Sequence, residues 1–294
     1  MAIFVTGDTH GPHRHGMNSV DGFMHRFSTD SFPEQKKMNK DDYVIICGDF
    51  GGIWATDREN ADETSEERYT LDWLDKKPFT TLFIPGNHEN YDRLIGGIDD
   101  RLLNCWLYDK LTEKGRDRLT KGYPQSDWHG GKIRSIRDSV LMLESGYIFD
   151  INGCKCFAFG GARSHDISDG ILEPWKFKNN KEFGEEYKRW WLTKPMFRVF
   201  GTSWWPQEMP DQTIMDRGLQ AAKTAKSVDF VFTHDAPASD KIFMGYSETD
   251  ELNRYFEKII DVMSYKKWFC GHLHDNRTLP ENKLLLYEQI IQID

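Results

Sequence analysis

Five short stretches of the chain concentrate residues that bind metals. They read Gly7-Asp8-Thr9-His10-Gly11, Gly48-Asp49-Phe50-Gly51-Gly52, Pro85-Gly86-Asn87-His88-Glu89, His234-Asp235-Ala236-Pro237 and Gly271-His272-Leu273-His274. Carboxylate, amide oxygen and imidazole form a borderline-hard donor set, suited to manganese, iron, zinc or similar ions rather than to a thiolate-bound structural zinc. An aspartate can bridge two ions with its two oxygens. Two ions roughly 3.5–4 Å apart can hold one hydroxide between them and neutralise a phosphoryl group during in-line attack. Alone, a Gly-Asp-x-His or a His-x-His is an ordinary polar turn; the reading rests on the ordered set.

Something must bring these stretches together, and the residues before each of them supply it. Apolar runs rich in β-branched and aromatic residues cover Ile3–Thr6, Tyr43–Cys47, Thr80–Ile84, Phe230–Thr233 and Trp268–Cys270, each ending where a motif begins. They are too short for helices and predict strands, as do Cys156–Phe159 and Leu284–Tyr287. Between them, Thr64–Lys76 opens with a capping residue followed by acids, and Asp211–Lys226 and Glu248–Tyr265 carry apolar residues at three- and four-residue spacing. Strands alternating with helices predict a layered α/β core. Open α/β sheets collect ligands at the C-terminal edge of their strands, which is where all five motifs fall.

Two regions break the alternation. Residues 130–160 predict antiparallel hairpins, with turns at Arg137-Asp138, Ser145-Gly146 and Asn152-Gly153. Residues 161–210 are dense in Trp, Arg and Lys without clear periodicity, and predict an insertion or cap over the active site within a single domain spanning 1–294. The pairs Trp190-Trp191 and Trp204-Trp205 read as anchors of that insertion, with nucleobase stacking as their other role. Arg163, His165 and Asp166 directly follow the Cys156–Phe159 run and are candidate substrate-binding residues. His13 and His15, close behind the first motif, are further candidates to face substrate.

The formal charge of −9 argues against general nucleic-acid coating, since a phosphate-gripping surface is normally basic. A small nucleotide is compatible with it, because bound metals supply positive charge locally. The cysteines Cys47, Cys105, Cys154, Cys156 and Cys270 are scattered and odd in number, which predicts no disulfide framework. No run approaches the ~18 apolar residues of a membrane span, and the first residues, MAIFVTGD, show no basic or apolar leader, so a cytoplasmic location is the default expectation.

The set GDTHG, GDFGG, GNHE, THDAP and GHLH resembles the calcineurin-like metallophosphoesterase superfamily, over residues 7–274. The resemblance implies a four-layer α/β/β/α sandwich, two mixed sheets flanked by helices, with a dinuclear site at the C-terminal strand edges. It implies Asp8, His10 and His274 as ligands of one ion, Asn87, His234 and His272 as ligands of the other, and Asp49 as the bridge. The cofactors it implies are two divalent transition ions, manganese or iron, with zinc and nickel as further options. His88 is not a ligand in the family; it protonates the leaving oxygen or steadies the phosphate.

The expected reaction is hydrolysis of a phosphate monoester on a small phosphorylated substrate or nucleotide, the alternative being a nucleotide or cyclic-nucleotide phosphodiester. The protein serine/threonine phosphatase branch carries an Asp and an Arg later in its second motif and an Arg before its Asn-His-Glu. This chain has Gly52, Ile53 and Pro85 there, so a phosphoprotein phosphatase fits less well than the broader GHxH-type branch. Because every ligand position and His88 are present, a non-catalytic scaffold of the same fold is the remote alternative.

Overall fold

The computed structural model describes residues 2–12, 22–54 and 57–293, and His13 and His15 lie outside them. In chain order the strands are β1 (Ile3–Thr6), β2 (Tyr43–Ile46), β3 (Thr80–Phe83), β4 (Gln125–Trp128), β5 (Gly131–Arg137), β6 (Val140–Leu143), β7 (Tyr147–Ile151), β8 (Cys154–Phe159), β9 (Gly170–Leu172), β10 (Phe197–Val199), β11 (Ser227–Thr233), β12 (Ser264–Cys270), β13 (Arg277–Leu279), β14 (Lys283–Leu285) and β15 (Ile291–Gln292). One sheet runs β15-β1-β2-β3-β6-β5-β4; β1, β2, β3 and β6 are mutually parallel, and β15, β5 and β4 are antiparallel to their neighbours. The other runs β13-β14-β12-β11-β8-β7, with β14, β12, β11 and β8 parallel and antiparallel strands at both edges.

The two-residue period of a strand explains the layering. Along β1 and β2, Ile3, Val5, Tyr43 and Ile45 face one way and join Phe149, Cys156, Phe230, Phe232 and Phe269 of the second sheet in a shared core. Phe4, Val44 and Ile46 face the other way, against Phe23, Phe27, Leu71 and Leu74. Strands that must bury both faces read as unbroken apolar runs, which is why they were legible. The second sheet repeats the arrangement: Phe157, Phe159 and Val231 pack outward on Met215, Ala222, Tyr255, Phe256 and Ile259 of two helices. The result is the four-layer α/β/β/α sandwich of mixed sheets.

The helices start where capping chemistry permits. Thr64 accepts from the Glu67 amide to open Ser65–Asp75, and Asp211 accepts from the Ile214 amide to open Gln212–Ala225. Each such cap is worth about 1 kcal/mol, and each fully buried Leu or Phe beneath it roughly 1.5–3 kcal/mol. The third helix, Glu251–Val262, is shorter than the Glu248–Tyr265 pattern. Asp250 and Asn253 close a capping box at its start, and β12 already begins at Ser264.

Two sequence expectations need correction. The Ser145-Gly146 turn does not close a hairpin: β6 lies in the first sheet and β7 in the second, and the turn carries the chain between layers, with the Gly146 amide bonded to the Ala158 carbonyl. Residues 161–210 are not aperiodic. They contain the helix Asn180–Thr193, capped by Asn179. Phe183, Tyr187 and Trp190 lie at helical spacing and pack edge-on against Phe177 and Phe197, while Trp106 meets Phe183. None of this helix is deeply buried, and its charges hide the stripe. Trp205, fully buried, donates from its indole nitrogen to Asp92 and so anchors the region to the core. All five cysteines are free thiols. Among the described residues no helix is long and apolar enough to cross a membrane.

Candidate metal centre

The C-terminal ends of β1, β2 and β3 meet those of β11 and β12 along one seam. The amides of Thr9 and His10 both donate to the Asp49 carbonyl, at 3.1 and 2.7 Å, which ties the first motif to the second. The Gly271 amide donates to the His234 carbonyl at 2.8 Å, tying the fourth to the fifth. Glycine is required where the loops touch: a Cβ on Gly86 would sit 2.0 Å from Asp49 Oδ1, and one on Gly271 would sit 2.2 Å from Asp8 Oδ1. The motif side chains also accept backbone strain. His10, Asp49, His272 and His274 have φ of 47°, 46°, 70° and 50°, the left-handed region that non-glycine residues seldom occupy. Such strain persists where surrounding structure imposes it, and it clusters at functional sites.

Two groups of donor atoms result. Asp8, His10, Asp49 and His274 each place one atom within 4.8 Å of the others, and so do Asp49, His234 and His272. Asp49 belongs to both. Asn87 joins the second group through Oδ1, 3.2 Å from His234 Nε2. His234 Nδ1 lies 2.9 Å from the Cys47 carbonyl, so its proton belongs there and Nε2 is left to face Asn87 and Asp49 Oδ1, the latter also at 3.2 Å.

The residues fit a cation. Oxygens of Asn87 and Asp49 converge on His234 Nε2, and His10 and His274 point their Nε2 atoms at one another at 2.8 Å. Burial alone would raise the carboxyls of Asp8 and Asp49, yet the imidazoles around them hold both below the usual carboxylate range. Burial likewise opposes charge on His234, but Asp49 and Asp8 outweigh it and push that imidazole up to about 10. His272 is driven down to about 4, mainly by burial, and stays neutral with a lone pair to offer. The seam therefore stabilises positive charge among oxygen and nitrogen donors, without thiolate, as divalent transition ions require.

Neighbouring residues hold the loops. His88 donates its amide to Asp49 Oδ1 at 2.8 Å, and its ring sits edge-on to His10 beside Trp54, outside both donor groups. Burial lowers its pKa. Glu89 is fully buried and accepts from the amides of Phe50 and Gly51, with burial pushing its carboxyl up to about 8. Arg26 spans the carbonyls of Gly7, Asp8 and Tyr287 with its guanidinium. Asp235, next to His234, accepts from Asn253 and from Lys241.

A cleft of about 800 Å³ opens beside the seam, lined among others by Arg163, His165, Lys241, Tyr246, His272 and His274. Arg163 and His165 are exposed on its wall, and the His165 ring centroid lies 6.4 Å from that of His272. Asp166 is instead engaged with Arg198 in an ion pair near enough to His88 to act on its charge. Sequence reasoning passed over Arg26, Ser164, Arg198 and Glu208. Ser164 stood inside the GGARSHD stretch already singled out; nothing local marks the other three, which reach the seam only through the fold.

A family model described as calcineurin-like phosphoesterase matches residues 1–276, nearly the whole chain. Among curated proteins, none matches the chain.

Proposed function

The chain belongs to the calcineurin-like phosphoesterase family, and from that premise we propose that it hydrolyses a phosphate monoester at a two-metal centre. Metal-dependent phosphoester hydrolysis is the family's chemistry; the monoester, the metals and the residue roles are our reading. The observation that carries it is the membership of Asp49 in both donor groups. One carboxylate shared by two clusters is what a dinuclear centre requires.

In this reading Asp8, His10 and His274 would hold one ion, Asn87, His234 and His272 would hold the other, and Asp49 would serve both. When bound, two divalent ions, manganese or iron in our proposal, supply Lewis acidity to the phosphoryl group and lower the pKa of water toward neutrality. His88 stands beside the seam as the proton donor to the departing alkoxide. Burial lowers its pKa, and the negative charge of a bound phosphate would favour the protonated form that the acid role needs. Arg163 and His165 present positive or hydrogen-bonding groups to a doubly charged monoester from the cleft wall. Of residues 161–210, Arg163, Ser164, His165, Ile167 and Ser168 line that cleft beside the 241–253 segment, and we propose that through them the region selects the substrate.

A phosphodiester reading is supported by the cleft volume, which would admit a second ester group such as a nucleoside. Relative kcat/KM on para-nitrophenyl phosphate and on its bis ester, with manganese added, separates the two. A preference for the monoester supports the proposal; a preference for the diester replaces it with the phosphodiesterase.

A further inference from the structure

Asn87 is the one carboxamide among the seam's donors, and its ligand atom is not dictated by its own chemistry, because a carboxamide presents oxygen from one edge and N–H from the other. Only the oxygen can bind a metal ion. Something must fix which edge faces the seam.

A buried hydrogen-bond chain does so. The Asn87 Nδ2 group donates to Ser164 Oγ at 3.3 Å. Ser164 in turn donates twice to Glu208: its amide to Oε1 at 2.9 Å and its hydroxyl to Oε2 at 2.6 Å. A serine hydroxyl has a single proton, and toward an ionised Glu208 it is committed to the carboxylate. Toward Asn87 that oxygen can therefore only accept, so the amide nitrogen must face Ser164 and Oδ1 must face His234.

The surrounding backbone builds the chain. The Gly161 amide donates to the Pro85 carbonyl at 2.8 Å, and the Ala162 amide to the Glu208 carbonyl at 3.1 Å. The end of β8 is thus clamped between the loop carrying Asn87 and the turn carrying Glu208. Asn87, Ser164 and Glu208 are 4%, 5% and 2% exposed, so water does not compete. Glu208 has no cationic partner among the described residues, and the cost of burying a lone carboxylate pushes its carboxyl up to about 7, although both Ser164 donors hold it down. A group kept at that cost calls for a role beyond packing.

We infer that Ser164 and Glu208 are positioning residues, which hold the Asn87 carboxamide with its oxygen turned to the His234–Asp49 group. The inference rests on the proposed reading of Asn87 as a ligand. Glu208→Gln is the sharpest probe. It is nearly isosteric, but its Nε2 meets one of the two Ser164 donors head-on, or donates to Oγ and frees the hydroxyl proton to turn toward Asn87. Either outcome disturbs the amide.

The test is calorimetric titration of chelator-treated full-length protein with Mn(II), which reads binding rather than turnover. Wild type should fill two sites. Ser164→Ala and Glu208→Gln should each weaken one site by about 10–100-fold and leave the other unchanged, as loss of an outer partner to a ligand typically does. The double variant should lose no more than the worse single one, because the residues act in series. Ser164→Thr, which keeps the hydroxyl, should bind as wild type. Asn87→Ala is the control for the underlying reading. If it loses one ion while Ser164→Ala and Glu208→Gln bind normally, the inference is overturned and the ligand assignment stands. If Asn87→Ala also keeps both ions, the ligand assignment fails and the inference with it. Equal weakening at both sites, or a collapsed melting temperature of the metal-free variants, would make Ser164 and Glu208 merely structural and likewise overturn it.

Discussion

The Nε2 atoms of His10 and His274, 264 residues apart in the chain, lie 2.8 Å from each other. Two neutral imidazoles cannot both present lone pairs at that distance without a proton or cation between or beside them. In our reading the cation is a divalent ion shared with Asp8. Binding should then add stability to the folded state by mass action, roughly 2.7 kcal/mol at a free metal concentration 100 times Kd. A chelator should lower Tm and added manganese should restore it. His10→Ala should retain one ion per chain, held by the Asp49–His234–His272 group. Insensitivity of Tm to chelator and metal alike would leave the two histidines without the ion assigned to them.

His88 should act on substrate without holding metal. A positioned general acid contributes ~10²–10⁴-fold, so His88→Ala should cut kcat by about that much while both ions remain. The loss should be larger for an alkyl phosphate, whose leaving group needs a proton, than for para-nitrophenyl phosphate. Loss of an ion in the variant would make His88 a ligand. Equal losses on both substrates would mean that it steadies the phosphate instead.

Arg163 should act on binding alone. It is exposed on the cleft wall and absent from both donor groups, so Arg163→Ala should raise KM for the true substrate with metal content unchanged. If KM and kcat both stay at wild-type values, the cleft wall is remote from the substrate.

The buried Asp92 tests the anchoring of residues 161–210. Burial pushes its carboxyl up to about 6, although the Trp205 indole donates to it at 2.8 Å. Its folded pKa exceeds the unfolded value near 3.9, so the stability it contributes is present in full below about pH 4 and is lost as pH rises through about 6. Asp92→Asn keeps an oxygen for the indole and removes the charge. In chelator, the variant should gain on wild type as pH rises from 4 to 8, by up to about 3 kcal/mol, a ceiling set by the two-unit shift. Urea unfolding across that range reads the difference; a gap that does not change with pH would mean that the Asp92 carboxyl ionises in the native state as it does in the unfolded chain, so that burial does not raise it.

Much of the site was legible because its residues follow strands with unmistakable composition. Ile3–Thr6 and Tyr43–Ile46 are β-branched or aromatic at every position and buried throughout, and the motif residue comes directly after a glycine. Strand starts were harder to read: β11 and β12 begin earlier than expected, at Ser227 and Ser264, because Asp229, Lys266 and Lys267 interrupt the apolar pattern on their less buried ends. The passage from β6 to β7 between sheets was hidden because a glycine turn looks the same whether it closes a hairpin or changes layer. Ser164, Glu208, Arg198 and Arg26 were illegible for a different reason. Their roles depend on partners far along the chain, as when Arg26 grips the carbonyls on either side of Asp8's amide, and a local pattern carries no trace of such a contact.

The most direct measurement is the metal content of protein purified without chelator, compared between wild type and Asp49→Asn. Asp49 is the only residue common to both donor groups, so its loss should be felt at both ions rather than one. Wild type should approach two transition ions per chain, and Asp49→Asn should fall at both sites together with hydrolysis of para-nitrophenyl phosphate. An Asp49→Asn protein that keeps two ions and full turnover would contradict the shared-carboxylate centre outright.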